Sequence, residues 1–146
     1  MRYVVACDHA GLPLKGILME ELEAQDHRVE DLGTMTEESV DYPLFAVKVA
    51  RAIEAGTADM GLLLCGTGIG MALAANRAAP VRAVTVSDCF SARMAREHND
   101  ANILCMGARV VGPGVAVDIL RSWLAAEFQG GRHTRRVQMI MEAESL

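Results

Sequence analysis

From Met60 to Leu64 the chain reads Met-Gly-Leu-Leu-Leu, followed by Cys65-Gly-Thr-Gly-Ile-Gly70 and then by Met71-Ala-Leu-Ala-Ala-Asn76. A short run that is apolar at every position has two faces to hide, so it predicts a strand inside a parallel sheet covered on both sides. The glycine loop ends that strand, and the run after it has helical spacing. Strand, loop and helix in this order bring the loop's N–H groups and the first helical turn to one spot at the strand's carboxyl end, where an anion is welcome. A thiol, Cys65, stands there, and a positive environment favours the thiolate form of a cysteine. Gly66, Gly68 and Gly70 lack a β-carbon, which lets the backbone approach a ligand closely or take positive φ.

The same alternation recurs along the chain. Arg2–Ala6 predicts a strand, and Leu12–Gln25 predicts a helix with Pro13 in its first turn. Arg28–Leu32 predicts a second strand, a polar loop runs through Asp41, and Pro43 starts a helix to about Ala55. After the central unit come a strand over Arg82–Val86, Ser87 as the expected N-cap of a helix over Asp88–Glu97, and a strand over Asn102–Met106. Helices over Val115–Phe128 and about Arg132–Ala143 follow, separated by Gly130-Gly131. The pattern predicts an α/β fold: a three-layer α/β/α sandwich around a five-stranded parallel sheet, Rossmann-like, in one domain over residues 1–146.

Composition removes several function classes. No apolar stretch is long enough to cross a membrane, and Met1-Arg2-Tyr3 begins a strand pattern rather than a leader, so the expectation is a cytoplasmic protein with no membrane partner. The cysteines at 7, 65, 89 and 105 show neither Cys-x-x-Cys pairing nor a histidine at zinc spacing, so neither a disulfide nor a metal site is expected. With a net charge of -5 and only Arg132–Arg136 as a basic cluster, nucleic acid is not an expected partner.

Ligands in parallel sheets bind at the carboxyl ends of strands. Applied here, that rule selects Cys7-Asp8-His9-Ala10-Gly11, the loop 65–70, Ser87-Asp88 and Gly107-Ala108-Arg109. Asp8, His9, Cys65, Thr67 and Arg109 are therefore expected on one rim. Arg132 and Arg136 are four residues apart on a predicted helix, so their guanidinium groups can form a clamp for a phosphate.

Taken together, Cys-Asp-His-Ala-Gly at 7–11, Asp-Tyr-Pro at 41–43, Cys-Gly-Thr-Gly-Ile-Gly at 65–70, Asn76, Arg96-Glu-His-Asn-Asp-Ala-Asn102, Gly107–Gly112 and Gly130–Arg136 resemble the ribose-5-phosphate isomerase B family, which is related to galactose-6-phosphate isomerase. The motifs span nearly the whole chain in one order. The resemblance implies a metal-free, cofactor-free aldose–ketose isomerase acting on a sugar phosphate, with D-ribose 5-phosphate and D-ribulose 5-phosphate as the expected pair. A base removes the proton beside the carbonyl to give a cis-enediolate and returns it to the neighbouring carbon. Cys65 is the candidate base. Some family members replace the cysteine and use a glutamate in the next helix, but here position 69 is Ile, which matches the cysteine branch. The N–H groups of Gly66, Thr67, Gly68, Ile69 and Gly70 are the expected donors to the enediolate oxygen. Thr67 is placed to hold substrate hydroxyls or pass a proton between oxygens. The resemblance further implies ring opening by His98 assisted by Asp8, phosphate contacts from His9 and Arg109, sugar contacts from Asn99, and a pocket wall from Tyr42. It also implies a homodimer or tetramer whose site is shared between subunits: the group His98, Asn99, Arg109, Arg132 and Arg136 would face the partner's Cys65 loop, and the C-terminal helix would reach toward that partner.

Plainer readings hold for other residues. Cys7, Cys89 and Cys105 have no glycine loop and read as ordinary free cysteines. His27 reads as a cap or surface group, Asp41 as an N-cap, and Arg135 as part of a solvated face. His133, about 100° around a helix from Arg132, reads as a packing or solvent residue. Met139 and Met141 are expected near a subunit contact. Two other functions compete with this one. A nucleotide cradle is disfavoured because the glycine loop follows the third strand and no acidic residue stands at a strand end about 20 residues later. A non-catalytic partner subunit would be expected to lack part of the thiol, threonine, histidine and arginine set. The substrate is left open between five-carbon and six-carbon sugar phosphates.

Overall fold

The computed structural model describes residues 1–145. The elements run β1 (Arg2–Cys7), α1 (Leu12–Ala24), β2 (Arg28–Asp31), α2 (Tyr42–Glu54), β3 (Met60–Cys65), α3 (Ile69–Ala75), β4 (Ala83–Thr85), α4 (Cys89–Asn99), β5 (Ile103–Gly107), α5 (Pro113–Leu124) and α6 (Arg132–Met141), with a 3-10 turn over Ala143–Ser145. All five strands are parallel in one sheet of order β2-β1-β3-β5-β4. This is the expected α/β/α sandwich.

The all-apolar reading of β3 is realised directly, for each of its residues is buried. Leu62 and Leu64 face a core layer with α1, α4 and α5, including Leu14, Leu18, Ile119, Leu120 and Trp123. Leu63 and Cys65 face the opposite layer with α2 and α3, including Ala46, Val49, Met71 and Ala75. Alternation along one strand thus divides its side chains between two cores. α6 lies outside these layers and packs on α4. No described helix is long and apolar enough to cross a membrane.

Several boundaries differ from the sequence expectation. The helix over Asp88–Glu97 is capped by Asp88, not Ser87: the Asp88 carboxylate accepts the Ser91 N–H at 2.7 Å, and that bond holds its pKa below the usual carboxylate value. Asp41 occupies the N-cap position of α2 but its side chain makes no capping bond; its carbonyl accepts the Leu44 N–H at 3.2 Å instead. α5 ends at Leu124 rather than Phe128, and the chain beyond it turns so that the Gln129 N–H reaches the Glu97 carbonyl at 3.0 Å. α3 starts at Ile69, inside the glycine loop, and is seven residues long.

Close packing at Gly61 offers a test of the sheet's fit to α2. A β-carbon there would lie 2.6 Å from Val49 Cγ1 and 3.0 Å from Ile103 Cγ1. Gly61→Ala is expected to lower unfolding stability by about 1–3 kcal/mol. Urea denaturation should recover part of that loss in the Gly61→Ala, Val49→Ala double variant, since the two positions are in contact.

Candidate active site

The register of three neighbouring strands assembles the rim. Cys7 pairs with Leu64 across β1 and β3, and Cys65 pairs with Gly107 across β3 and β5. The chain therefore leaves the sheet at Asp8, Gly66 and Ala108 side by side, and three backbone bonds tie the exits together. Asp8 N–H donates to the Leu64 carbonyl at 3.1 Å, Ala108 N–H to Cys65 at 2.8 Å, and Arg109 N–H to Gly66 at 3.1 Å.

Cys65 is buried, and its Sγ accepts the Gly68 N–H at 3.0 Å. Gly68 carries φ +80°, and a β-carbon on it would stand 3.0 Å from the Met106 backbone, so both conformation and space select glycine. Its carbonyl accepts the Thr85 hydroxyl at 3.1 Å, which ties the loop to β4. The Ile69 N–H donates to Thr67 Oγ1 at 3.3 Å. Two of the five expected oxyanion donors are therefore engaged within the loop, at Gly68 and Ile69. Among the described residues, the N–H groups of Gly66, Thr67 and Gly70 donate to nothing else. Beneath the loop, a β-carbon on Gly107 would fall 2.5 Å from Thr67 Cα, so this glycine is the floor on which the loop rests.

The other rim residues converge from three directions. The Arg109 guanidinium stands over Gly66, with Nη1 3.3 Å from where a β-carbon would be, and the Tyr42 ring packs on Gly70. His9 is half-buried and its Nδ1 accepts the Val40 N–H at 3.2 Å, which assigns the neutral ring's proton to Nε2 and makes that nitrogen a donor. Asp8 is buried, and one carboxylate oxygen accepts the N–H groups of Ala10 at 2.9 Å and Gly11 at 3.0 Å. Asp8 therefore also forms the turn that follows β1.

The remaining candidates sit elsewhere. Helices in a parallel sandwich run back against the strands, so the end of α4 lies at the opposite edge of the sheet, where Arg82 at the start of β4 bonds the Asp100 carbonyl at 2.9 Å. His98 and Asn99 are there, with Arg132 and Arg136 exposed on α6 alongside. β3 has six residues, which puts the two ends roughly 20 Å apart. Arg109 stands at the Cys65 rim, as the strand-end rule expects, and within one chain it is separate from the α4–α6 cluster with which the resemblance also grouped it. His133, set aside in the sequence reading, is buried and stacked on His98 with ring centroids 4.2 Å apart and planes 8° apart. Helical spacing alone gave no sign of this, because the contact depends on how α6 docks on α4. A concavity of about 690 Å³ at this end is lined by Asn76, Arg82, Asn99 and Met141 among others. Met139 and Met141 are exposed, and Met141 Sδ accepts from Arg82 at 3.4 Å.

The four cysteines differ in kind. Burial pushes the Cys7 thiol up to about 11 and drives Cys105 further still, with the Cys65 sulfur adding to the second shift. Cys89 is exposed at the start of α4. Only Cys65 both ends a strand at the rim and receives a backbone N–H. Among the described residues no group of His, Cys, Asp and Glu is arranged to hold a metal ion.

A family model described as Ribose/Galactose Isomerase matches residues 3–140. The ribose-5-phosphate isomerase B of Escherichia coli is 45% identical over 138 residues, covering 94% of this chain and 93% of the relative. A solved structure of the Clostridium thermocellum ribose-5-phosphate isomerase B superposes with a TM-score of 0.96 at 48% identity, covering 99% of this chain and 98% of that one. The Mycoplasma genitalium ribose-5-phosphate isomerase B, solved with bound ribulose-5-phosphate, superposes with a TM-score of 0.94 at 39% identity, covering 99% and 96%.

The histidine stack has a titration consequence. Burial, the neighbouring His98 and the charges of Arg132 and Arg136 all hold the His133 pKa below the ordinary histidine value. An NMR titration of the ring protons should place His133 below about 6.5, and His98→Asn should move it upward. A midpoint at or above the ordinary value would show that α6 is not docked as described.

Proposed function

The chain belongs to the ribose/galactose isomerase family, and from that membership we propose that it interconverts D-ribose 5-phosphate and D-ribulose 5-phosphate, with Cys65 as the base that moves the proton between C2 and C1. The observation that carries this reading is the Gly68 N–H aimed at Cys65 Sγ on a rim that also presents His9, Thr67 and Arg109.

The chemistry follows from the geometry. In the open-chain aldehyde, the Cys65 thiolate takes the proton from C2, the electron pair moves into a C1–C2 double bond, and negative charge develops on the carbonyl oxygen. The N–H donated by Gly68 stabilises the sulfur's charge before the transfer, and the unengaged N–H groups of Gly66, Thr67 and Gly70 stand ready for the oxygen. The thiol then returns the proton to C1, while the hydroxyl proton passes from O2 to O1, a transfer for which Thr67 Oγ1 is suited as both donor and acceptor. His9, donating from Nε2, and Arg109 supply positive or proton-donating groups beside the loop for the substrate's anionic end.

The ring of ribose 5-phosphate must open first, and this role is proposed for His98, with Asn99 on the sugar hydroxyls and Arg132 and Arg136 on the phosphate. These groups lie at the far edge of the same chain. The reading therefore includes a second copy, whose α4–α6 end faces the Cys65 rim of the first, in a dimer or larger assembly. A relative that binds ribulose-5-phosphate supports the five-carbon pair. Four free cysteines accord with a reducing, cytoplasmic setting.

Proton NMR in heavy water with ribose 5-phosphate tests the base directly. Wild type is expected to form ribulose 5-phosphate carrying deuterium at C1, and Cys65→Ala to lose about 10²–10⁴-fold in kcat with its fold unchanged by circular dichroism. Near-wild-type turnover in that variant would remove Cys65 from the mechanism, and faster turnover of allose 6-phosphate would keep the mechanism but change the substrate. Arg136→Ala is expected to raise KM roughly 10- to 100-fold through loss of a charged phosphate contact. Activity should survive EDTA; a loss restored by added divalent cation would contradict the metal-free chemistry.

A further inference from the structure

Asp100 closes α4 in a left-handed conformation, φ +46° and ψ +40°, at the position that immediately follows His98 and Asn99. Helices commonly end on a left-handed residue, but that residue is usually glycine, which adopts the conformation without a β-carbon clash. Here a carboxylate takes the place, and both of its oxygens are used. Oδ1 accepts Arg96 Nη1 at 3.1 Å and Oδ2 accepts Arg82 Nη2 at 3.2 Å.

The two arginines are themselves fixed. Arg96 is buried, lies over the Trp123 ring at 5.4 Å, and donates to the Ala101 carbonyl at 2.6 Å. Arg82 donates through Nε to the Asp100 carbonyl at 2.9 Å, and its backbone N–H reaches Asn102 Oδ1 at 2.8 Å; Asn102 in turn bonds the Pro80 carbonyl. The turn after α4 is therefore gripped from the hydrophobic core on one side and from the start of β4 on the other. Arg82 also touches Met141 on α6, so the same grip reaches the helix whose His133 stacks on His98.

The geometry points to Asp100 as a positioning residue: clamped between Arg96 and Arg82, its carboxylate sets the last turn of α4 so that His98 and Asn99 meet the sugar for ring opening. This rests on the ring-opening role proposed for His98. A left-handed shape alone would be served as well or better by glycine. What the carboxylate adds is a fixed direction for the turn, and small misplacements of a catalytic group are costly in rate.

The experiment separates ring opening from proton transfer. Ribulose 5-phosphate has its 5-oxygen esterified and cannot close a furanose, so exchange of its C1 hydrogen with deuterium oxide needs Cys65 but no ring opening. The full chain is compared as wild type, His98→Ala, Asp100→Gly and Asp100→Asn, by turnover of ribose 5-phosphate and by exchange into ribulose 5-phosphate. Asp100→Gly is expected to lower kcat for ribose 5-phosphate on the order of 10- to 100-fold, following His98→Ala, with a smaller rise in KM through Asn99 and with the exchange rate at saturating ribulose 5-phosphate kept. Asp100→Asn keeps an acceptor oxygen and tolerance of the left-handed shape, and is expected to restore part of the loss. The proposal is overturned if Asp100→Gly leaves turnover at the wild-type level while His98→Ala loses it, or if turnover and exchange fall together. If His98→Ala keeps full turnover, the ring-opening assignment itself fails, and the positioning role falls with it.

Discussion

The pairing register of β1, β3 and β5 is the constraint on which the site depends. Because Cys7 lies beside Leu64 and Cys65 beside Gly107, three loops leave the sheet at one level. A one-residue slip of β3 would turn Cys65 toward the α1–α5 layer and send the glycine loop out at a different height. The register is held by burial on both faces: Leu62 and Leu64 on one side and Leu63 and Cys65 on the other have no solvated alternative. The geometry of the rim is thus secured by apolar side chains buried beneath it.

The same architecture sets a limit on what one chain achieves. Parallel strands put their carboxyl ends at one edge, and the helices that return between them must end at the other. Cys65 at the end of β3 and His98 at the end of α4 are therefore kept apart by the length of the sheet. The isomerase reading resolves this by bringing two copies together, so that each subunit supplies a rim to one site and an α4–α6 end to another.

Much of this was legible in the sequence, and the reasons are physical. β1, β3 and β5 are short apolar runs with two hidden faces, and they, with the more exposed β2 and β4, were placed to within a residue or two at their ends. The rim followed from one topological rule. What was not legible depended on three-dimensional docking. Asp88 outcompeted Ser87 as cap because its carboxylate is the group within reach of the Ser91 N–H. Past the early end of α5, the loop residue Gln129 bonds Glu97 of α4, a contact between segments distant in sequence. His133 was legible as a packing or solvent residue, but not the ring it packs on, because that ring belongs to another helix; Arg109 was legible at the rim because it follows the end of β5, though its side-chain direction above Gly66 is not encoded in local spacing. Gly107 appeared only as part of a motif, although its missing β-carbon is what lets Thr67 sit where it does.

Cysteine chemistry gives the sharpest contrast within the molecule. Cys65 and Cys105 lie on neighbouring strands in the same core layer, with Cys105 paired to Leu63 two residues before Cys65. For Cys105, with nothing to compensate the lost solvation, burial holds the thiol protonated. Two residues nearer the rim, the backbone of a left-handed glycine supplies an N–H to the sulfur. A buried thiol becomes useful as a base only where its charge is met by a donor that needs no reorganisation. In this chain such a donor stands where an apolar strand gives way to a glycine loop, and the sequence feature that predicts the sheet is the one that places the donor.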